Sequence, residues 1–129
     1  MTAILKISTR LFLAAVALVA ASAPAPAVAA AGTNFDGSWS VLIMTSSGPC
    51  DRSYRFGLSI RNGDIFYNGS APVNLTGRVS GNGSLRVHVS AGAQSANGAG
   101  RLSRDYGRGH WRGSSASDVC AGSWTAERH

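Results

Sequence analysis

Tyr54-Arg55-Phe56-Gly57-Leu58-Ser59-Ile60-Arg61-Asn62-Gly63 decides the fold. Tyr, Phe, Leu and Ile take every second position up to Ile60, with Arg, Gly and Ser between them. On a pleated strand all four apolar side chains then share one face. Asn62-Gly63 follows, a pair that readily accepts the positive φ angles of a tight hairpin, and Asp64-Ile65-Phe66-Tyr67 leads away from it. The same alternation returns where Leu85, Val87 and Val89 interleave with Arg86, His88 and Ser90.

Outward from this segment the chain keeps period two, and no stretch after Ala31 holds a helical period. The pattern predicts strands near 38–46, 54–61, 64–68, 73–80, 84–91, 94–103, 107–114 and 120–128. Gly81-Asn82-Gly83 and Asp105-Tyr106-Gly107 read as three-residue turns. Strands joined by short hairpins form an up-and-down meander, and about eight of them close into a small barrel that removes exposed edges. The fold class expected is therefore all-β, a small antiparallel up-and-down β-barrel. Gly77-Arg78-Val79-Ser80 and Gly100-Arg101-Leu102-Ser103, two strands apart, repeat one pattern: an inward aliphatic, an outward Arg, then a turn.

The first 29 residues stand apart from this pattern. Lys6 and Arg10 precede the apolar run Leu11-Phe-Leu-Ala-Ala-Val-Ala-Leu-Val-Ala20, and Pro24 and Pro26 precede the small-residue site Ala27-Val28-Ala29. That order is a cleavable secretory signal, and the run is about half the ~20 apolar residues a bilayer-spanning helix needs. Residues 1–29 are expected to be removed, 30–34 to form a short flexible segment, and 35–129 to fold as one domain. The location expected is periplasmic or extracellular, and the Ala-rich signal has a bacterial look.

Export permits oxidation, and the chain has two cysteines, Cys50 and Cys120. In a closed eight-strand meander the first strand pairs antiparallel with the last. Cys50 follows the first strand and Cys120 opens the last, so a disulfide falls where closure brings the two together. It would close a loop of roughly 70 residues, worth about 4 kcal/mol on a chain-entropy estimate.

All three tryptophans occur as Gly-x-Trp: Gly37-Ser38-Trp39, Gly109-His110-Trp111 and Gly122-Ser123-Trp124. Each Gly shares a face with its Trp, which suggests that it leaves room for the ring in core packing. Phe35-Asp36-Gly37-Ser38-Trp39 on the first strand, with Arg128 on the last, resembles the calycin pattern of lipocalins, avidins and small bacterial metalloproteinase inhibitors. The resemblance covers the two ends of the chain and the strand number. It implies that Arg128 packs over Trp39 and closes one end of the barrel. Size, export signal and a Cys soon after the first Trp are most similar to the metalloproteinase inhibitors, which implies that residues 30–34 could plug a protease cleft. The second Cys, on the last strand, departs from that pattern.

Catalytic and metal signatures are absent from the sequence: no H-E-x-x-H, G-x-S-x-G, C-x-x-C or P-loop spacing occurs. Six carboxylates, most of them in predicted turns, offer no paired acid–base site. No enzyme, cofactor or metal is expected. Asn68-Gly-Ser70, Asn74-Leu-Thr76 and Asn82-Gly-Ser84 match the glycosylation acceptor pattern and read as turn and strand residues.

Charge is the sharper cue. After the signal come ten Arg and no Lys, against Asp36, Asp51, Asp64, Asp105, Asp118 and Glu127, with no carboxylate between Asp64 and Asp105. Arg78, Arg86, Arg101, Arg108 and Arg112, with His88 and His110, share the outward parity of strands four to seven. They would form a basic face suited to an anionic envelope component or an acidic protein. The same composition also serves as an ordinary solvated surface that keeps a basic protein soluble. Nucleic acid is not expected outside the cell, and the face lacks stacking aromatics. The functional expectation is an exported, monomeric, non-enzymatic binding module that does not span a membrane; the alternative is a secreted or periplasmic protease inhibitor.

Overall fold

The computed structural model describes residues 33–129, and the expected signal at 1–29 lies outside them, as do residues 30–32. A single 3-10 turn, Thr33–Phe35, leads into β1 (Gly37–Ser47), β2 (Ser53–Arg61), β3 (Asp64–Tyr67), β4 (Asn74–Val79), β5 (Ser84–Ala91), β6 (Gln94–Leu102), β7 (Tyr106–Ser114) and β8 (Val119–Arg128). Each strand pairs with its sequence neighbour and β1 pairs with β8, all antiparallel, so the sheet closes into an up-and-down barrel. The period-two pattern placed every strand end within a residue, because one apolar face had to be turned inward.

Closure brings the β1–β2 loop against the start of β8, where Cys50 and Cys120 form the disulfide. Gly48 makes this approach possible. Its φ is +92°, and a Cβ there would overlap the Val119 carbonyl and lie 2.7 Å from the Cys120 Sγ.

Two turns follow their residues differently. Asn62 and Gly63 both take positive φ, 51° and 79°, as the β2–β3 hairpin requires. Asp105-Tyr106-Gly107 is not the β6–β7 turn: Tyr106 opens β7 and Gly107 pairs with Leu102, so the chain turns through Ser103–Asp105 instead. Gly107 is needed inside the barrel, where a Cβ would overlap Leu102 and touch the Trp124 ring.

The ladders are uneven. β1–β8, β5–β6, β6–β7 and β7–β8 each run over eight or nine residue pairs, whereas β3 and β4 share only Asp64↔Arg78.

The core gathers at the end that holds both the Thr33–Phe35 turn and the C-terminus. Trp39, Ile60, Ile65, Val79, Leu85 and Leu102 are buried there with Phe35. Outward positions carry mostly Arg, Ser, Thr and His, with Leu42, Met44 and Phe66 among the exceptions, whereas a lipid-facing barrel has an apolar outer band. Among the described residues no helix is long and apolar enough to cross a membrane.

Candidate functional site

Three features converge on the barrel's interior: a plug at one end, interlocked tryptophans along one wall, and a cavity open at the other end.

The plug is the contact expected from Trp39 and Arg128. The two residues pair in register, and the Arg128 guanidinium carbon lies 4.9 Å from the centre of the Trp39 ring. Arg128 Nη2 donates to the Asn34 carbonyl at 2.7 Å, and Trp39 Nε1 donates to the Phe35 carbonyl at 2.8 Å. Arg128 Nε is buried without a hydrogen-bond partner, since the Asp105 carboxylate at 3.9 Å is too distant. Asp36 adds a further tie by accepting hydrogen bonds from the backbone N–H groups of Asn62 and Gly63.

The other two Gly-x-Trp motifs interlock. In the β7–β8 register Gly109 faces Trp124 and Trp111 faces Gly122. Each glycine therefore makes room for the ring on the neighbouring strand rather than for its own. A Cβ on Gly109 would lie 2.7 Å from the Trp124 ring and overlap the Ala99 carbonyl, and Trp124 Nε1 donates to that same carbonyl at 3.3 Å. A Cβ on Gly122 would lie 2.9 Å from Trp111 Nε1 and overlap the Met44 carbonyl, to which Trp111 Nε1 donates at 3.1 Å. Gly37 differs, because nothing lies within 4 Å of a Cβ placed there and its φ is +135°.

Above these rings the barrel is not filled. A cavity of about 270 Å³ runs along the axis between Ile43, Phe56, Leu75, Val87 and Trp111, over a floor that includes Trp39. It opens into a wider vestibule of about 500 Å³ between the Pro49–Asp51 segment, Gln94 and Asp118; Val73, Val89, Ala96 and Trp111 line both. Tyr54, Phe56 and Tyr67 form an aromatic rim, with ring centres 5.8 and 6.0 Å apart in succession. The Tyr67 phenol nearby holds Tyr54 above its ordinary pKa, through hydrogen bonding and like-charge repulsion. Gly69 lies against the Tyr67 ring, where a Cβ would overlap it.

The sequence did not point to this cavity. The available signal was the small inward residues of β6, Ala96 and Gly98, opposite aliphatic Leu75, Val87 and Val89.

The expected basic residues all lie on the outside and are exposed. Arg78 is set apart from the others by an ion pair with Asp64 at 2.7 Å, its register partner on β3. His88 Nδ1 lies 2.9 Å from Asn97 Oδ1, and His110 sits opposite Ala99 and Ser123. Among the described residues no group of three or more His, Cys, Asp or Glu side chains gathers as a metal site would require. Compared with known proteins, the chain matches no family model, no curated protein and no solved structure.

Proposed function

We propose that this chain is an exported, non-enzymatic binding barrel that holds one small, neutral, largely apolar molecule in its bore. The observation that carries this reading is the cavity of about 270 Å³, walled by apolar side chains, sealed at the Trp39 end and open at the aromatic rim. Unfilled apolar volume forfeits dispersion contacts along its walls, and an occupant restores them. An apolar cavity of about 150 Å³ holds benzene, so this one suits a body of about 10 non-hydrogen atoms. The indole N–H groups of Trp39, Trp111 and Trp124 already donate to backbone carbonyls. The Tyr54 and Tyr67 hydroxyls at the rim supply polar contacts, which favours a ligand with one terminal hydroxyl or carbonyl. A charge in the bore would meet no partner and is disfavoured.

Export is supported by the signal pattern of residues 1–29 and by the disulfide, which suits an oxidising periplasm or medium. Kinship with the calycins is supported by the Trp39–Arg128 closure. On the inhibitor alternative, the carbonyls of Asn34 and Phe35 are already engaged at the closed end, which leaves the residues before them to enter a protease.

Titration with 1-decanol should change tryptophan emission saturably, at one molecule per chain, and decanoate should bind more weakly. Val87→Phe and Leu75→Phe each fill the bore and should remove decanol binding while leaving the protein folded. Absence of saturable binding to the native protein, or its survival in both filled variants, would overturn this reading.

A further inference from the structure

The outer face of β5, β6 and β7 carries charge that the fold does not use. Arg101 of β6 stands directly opposite Arg108 of β7, and Arg86 of β5 stands opposite Arg78 of β4. Opposed side chains on neighbouring strands have Cβ atoms about 4.5–5.5 Å apart, where like charges destabilise the sheet. Asp64 neutralises Arg78, but among the described residues Arg86, Arg101, Arg108 and Arg112 form no ion pair. Arg112 adds a fourth uncompensated charge on β7, opposite Asn97. Two of these arginines thus repel each other across a ladder, and none contributes an ion pair that would stabilise the barrel.

Hydrogen-bonding groups lie between them. Ser84 faces Arg101, Thr125 faces Arg108, and Asn97 lies between His88 and Arg112. Of the exposed large apolar side chains, Tyr54, Phe66, Tyr106 and Val119, none lies on β5 or β6, and on β7 there is Tyr106 alone, at its first residue opposite Glu127. A membrane surface is gripped by apolar side chains that enter it, and single-stranded nucleic acid by stacked aromatics; β5 and β6 present neither. Guanidinium groups that bind carboxylates in pairs, set among hydroxyls and amides, fit a sugar chain carrying repeated acids. Several such contacts along one flexible chain reinforce one another.

We propose that this face binds a linear acidic polysaccharide, independently of what the bore holds. The probe is polygalacturonate, with neutral dextran as the control polymer. Binding should be tight at low salt and fall steeply toward 0.1 M, where screening acts over about 10 Å. Replacing Arg86, Arg101 and Arg112 together by Gln should weaken binding on the order of 100-fold. Replacing Arg52, Arg55 and Arg61 by Gln removes the same charge around β2, across the barrel, and should weaken it no more than about threefold, as expected for distant charges. Far-ultraviolet circular dichroism should show both variants folded, since all six side chains are exposed. Equal weakening by the two triples would overturn the proposal by making net charge responsible. So would binding that ignores salt, no binding at low salt, or a preference for phosphatidylglycerol vesicles or DNA over the polysaccharide.

Discussion

Gly109 and Trp124 face each other across the β7–β8 ladder, and the indole occupies the space a side chain on Gly109 would need. Two residues along the same ladder the arrangement is mirrored, with Gly122 giving way to Trp111. The missing Cβ also uncovers a strand carbonyl, Ala99 in one case and Met44 in the other, which accepts the indole N–H. A buried tryptophan needs both a large space and a partner for its one donor, and a single glycine supplies both.

Gly109→Ala should therefore destabilise the protein by about 1–3 kcal/mol through overpacking and shift tryptophan emission. Gly37→Ala meets no atom within 4 Å and suffers only from its positive φ. Its cost should be about 1–3 kcal/mol of backbone strain, with emission unchanged. Urea titration followed by tryptophan fluorescence checks both; unchanged emission in Gly109→Ala would contradict the interlock.

The Cys50–Cys120 bond ties the β1–β2 loop to β8 across a sequence separation of 70. Replacing both cysteines by Ala should lower unfolding free energy by about 4 kcal/mol. Intact-mass measurement of the native protein before and after thiol alkylation should show no free thiol. Alkylation at both positions without reduction would mean the bond does not form.

At the closed end, Trp39→Ala should cost about 3–5 kcal/mol, the range for a buried aromatic. Arg128→Ala should cost less, because its side chain covers the closed end from outside and keeps some solvent contact. A double-mutant cycle should return a coupling of about 0.5–2 kcal/mol for the guanidinium over the ring. Additive effects would show that the contact contributes nothing to closure.

Much of this was legible in the residues. Alternation such as that from Tyr54 to Ile60 admits only one face inward, so strand limits, strand number and closure followed, and the disulfide expected of two cysteines in an exported chain falls where closure joins the first and last strands. Other features depend on register, which no short segment encodes. Gly109 and Trp111 lie near each other in sequence, yet Gly109 serves Trp124, and only the β7–β8 pairing shows it. Asp64 lies at the boundary of the acid-free stretch, yet it stands opposite Arg78 and removes that charge from the basic face. Glycine favours turns, which draws Tyr106 and Gly107 into the expected turn; the space beneath Trp124 keeps Gly107 inside the barrel, and Tyr106 opens β7 before it. The cavity is a remainder, the volume left when side chains from every strand have been placed. Whether small residues meet across the bore or fill each other's gaps is not a property of any one strand.

The single residue pair between β3 and β4 has a dynamic consequence. Toward the rim, the residues from Asn68 to Val73 separate these two strands, and Leu75 borders the bore there. Every other seam runs over four to nine residue pairs, whose hydrogen bonds must break together before the strands part. At this seam the lattice is already interrupted, so its opening costs least. Amide exchange should begin along the β3-facing edge of β4 and reach β6 and β7 last. A molecule too wide for the aromatic rim would then enter sideways, at a rate set by how often this one joint parts.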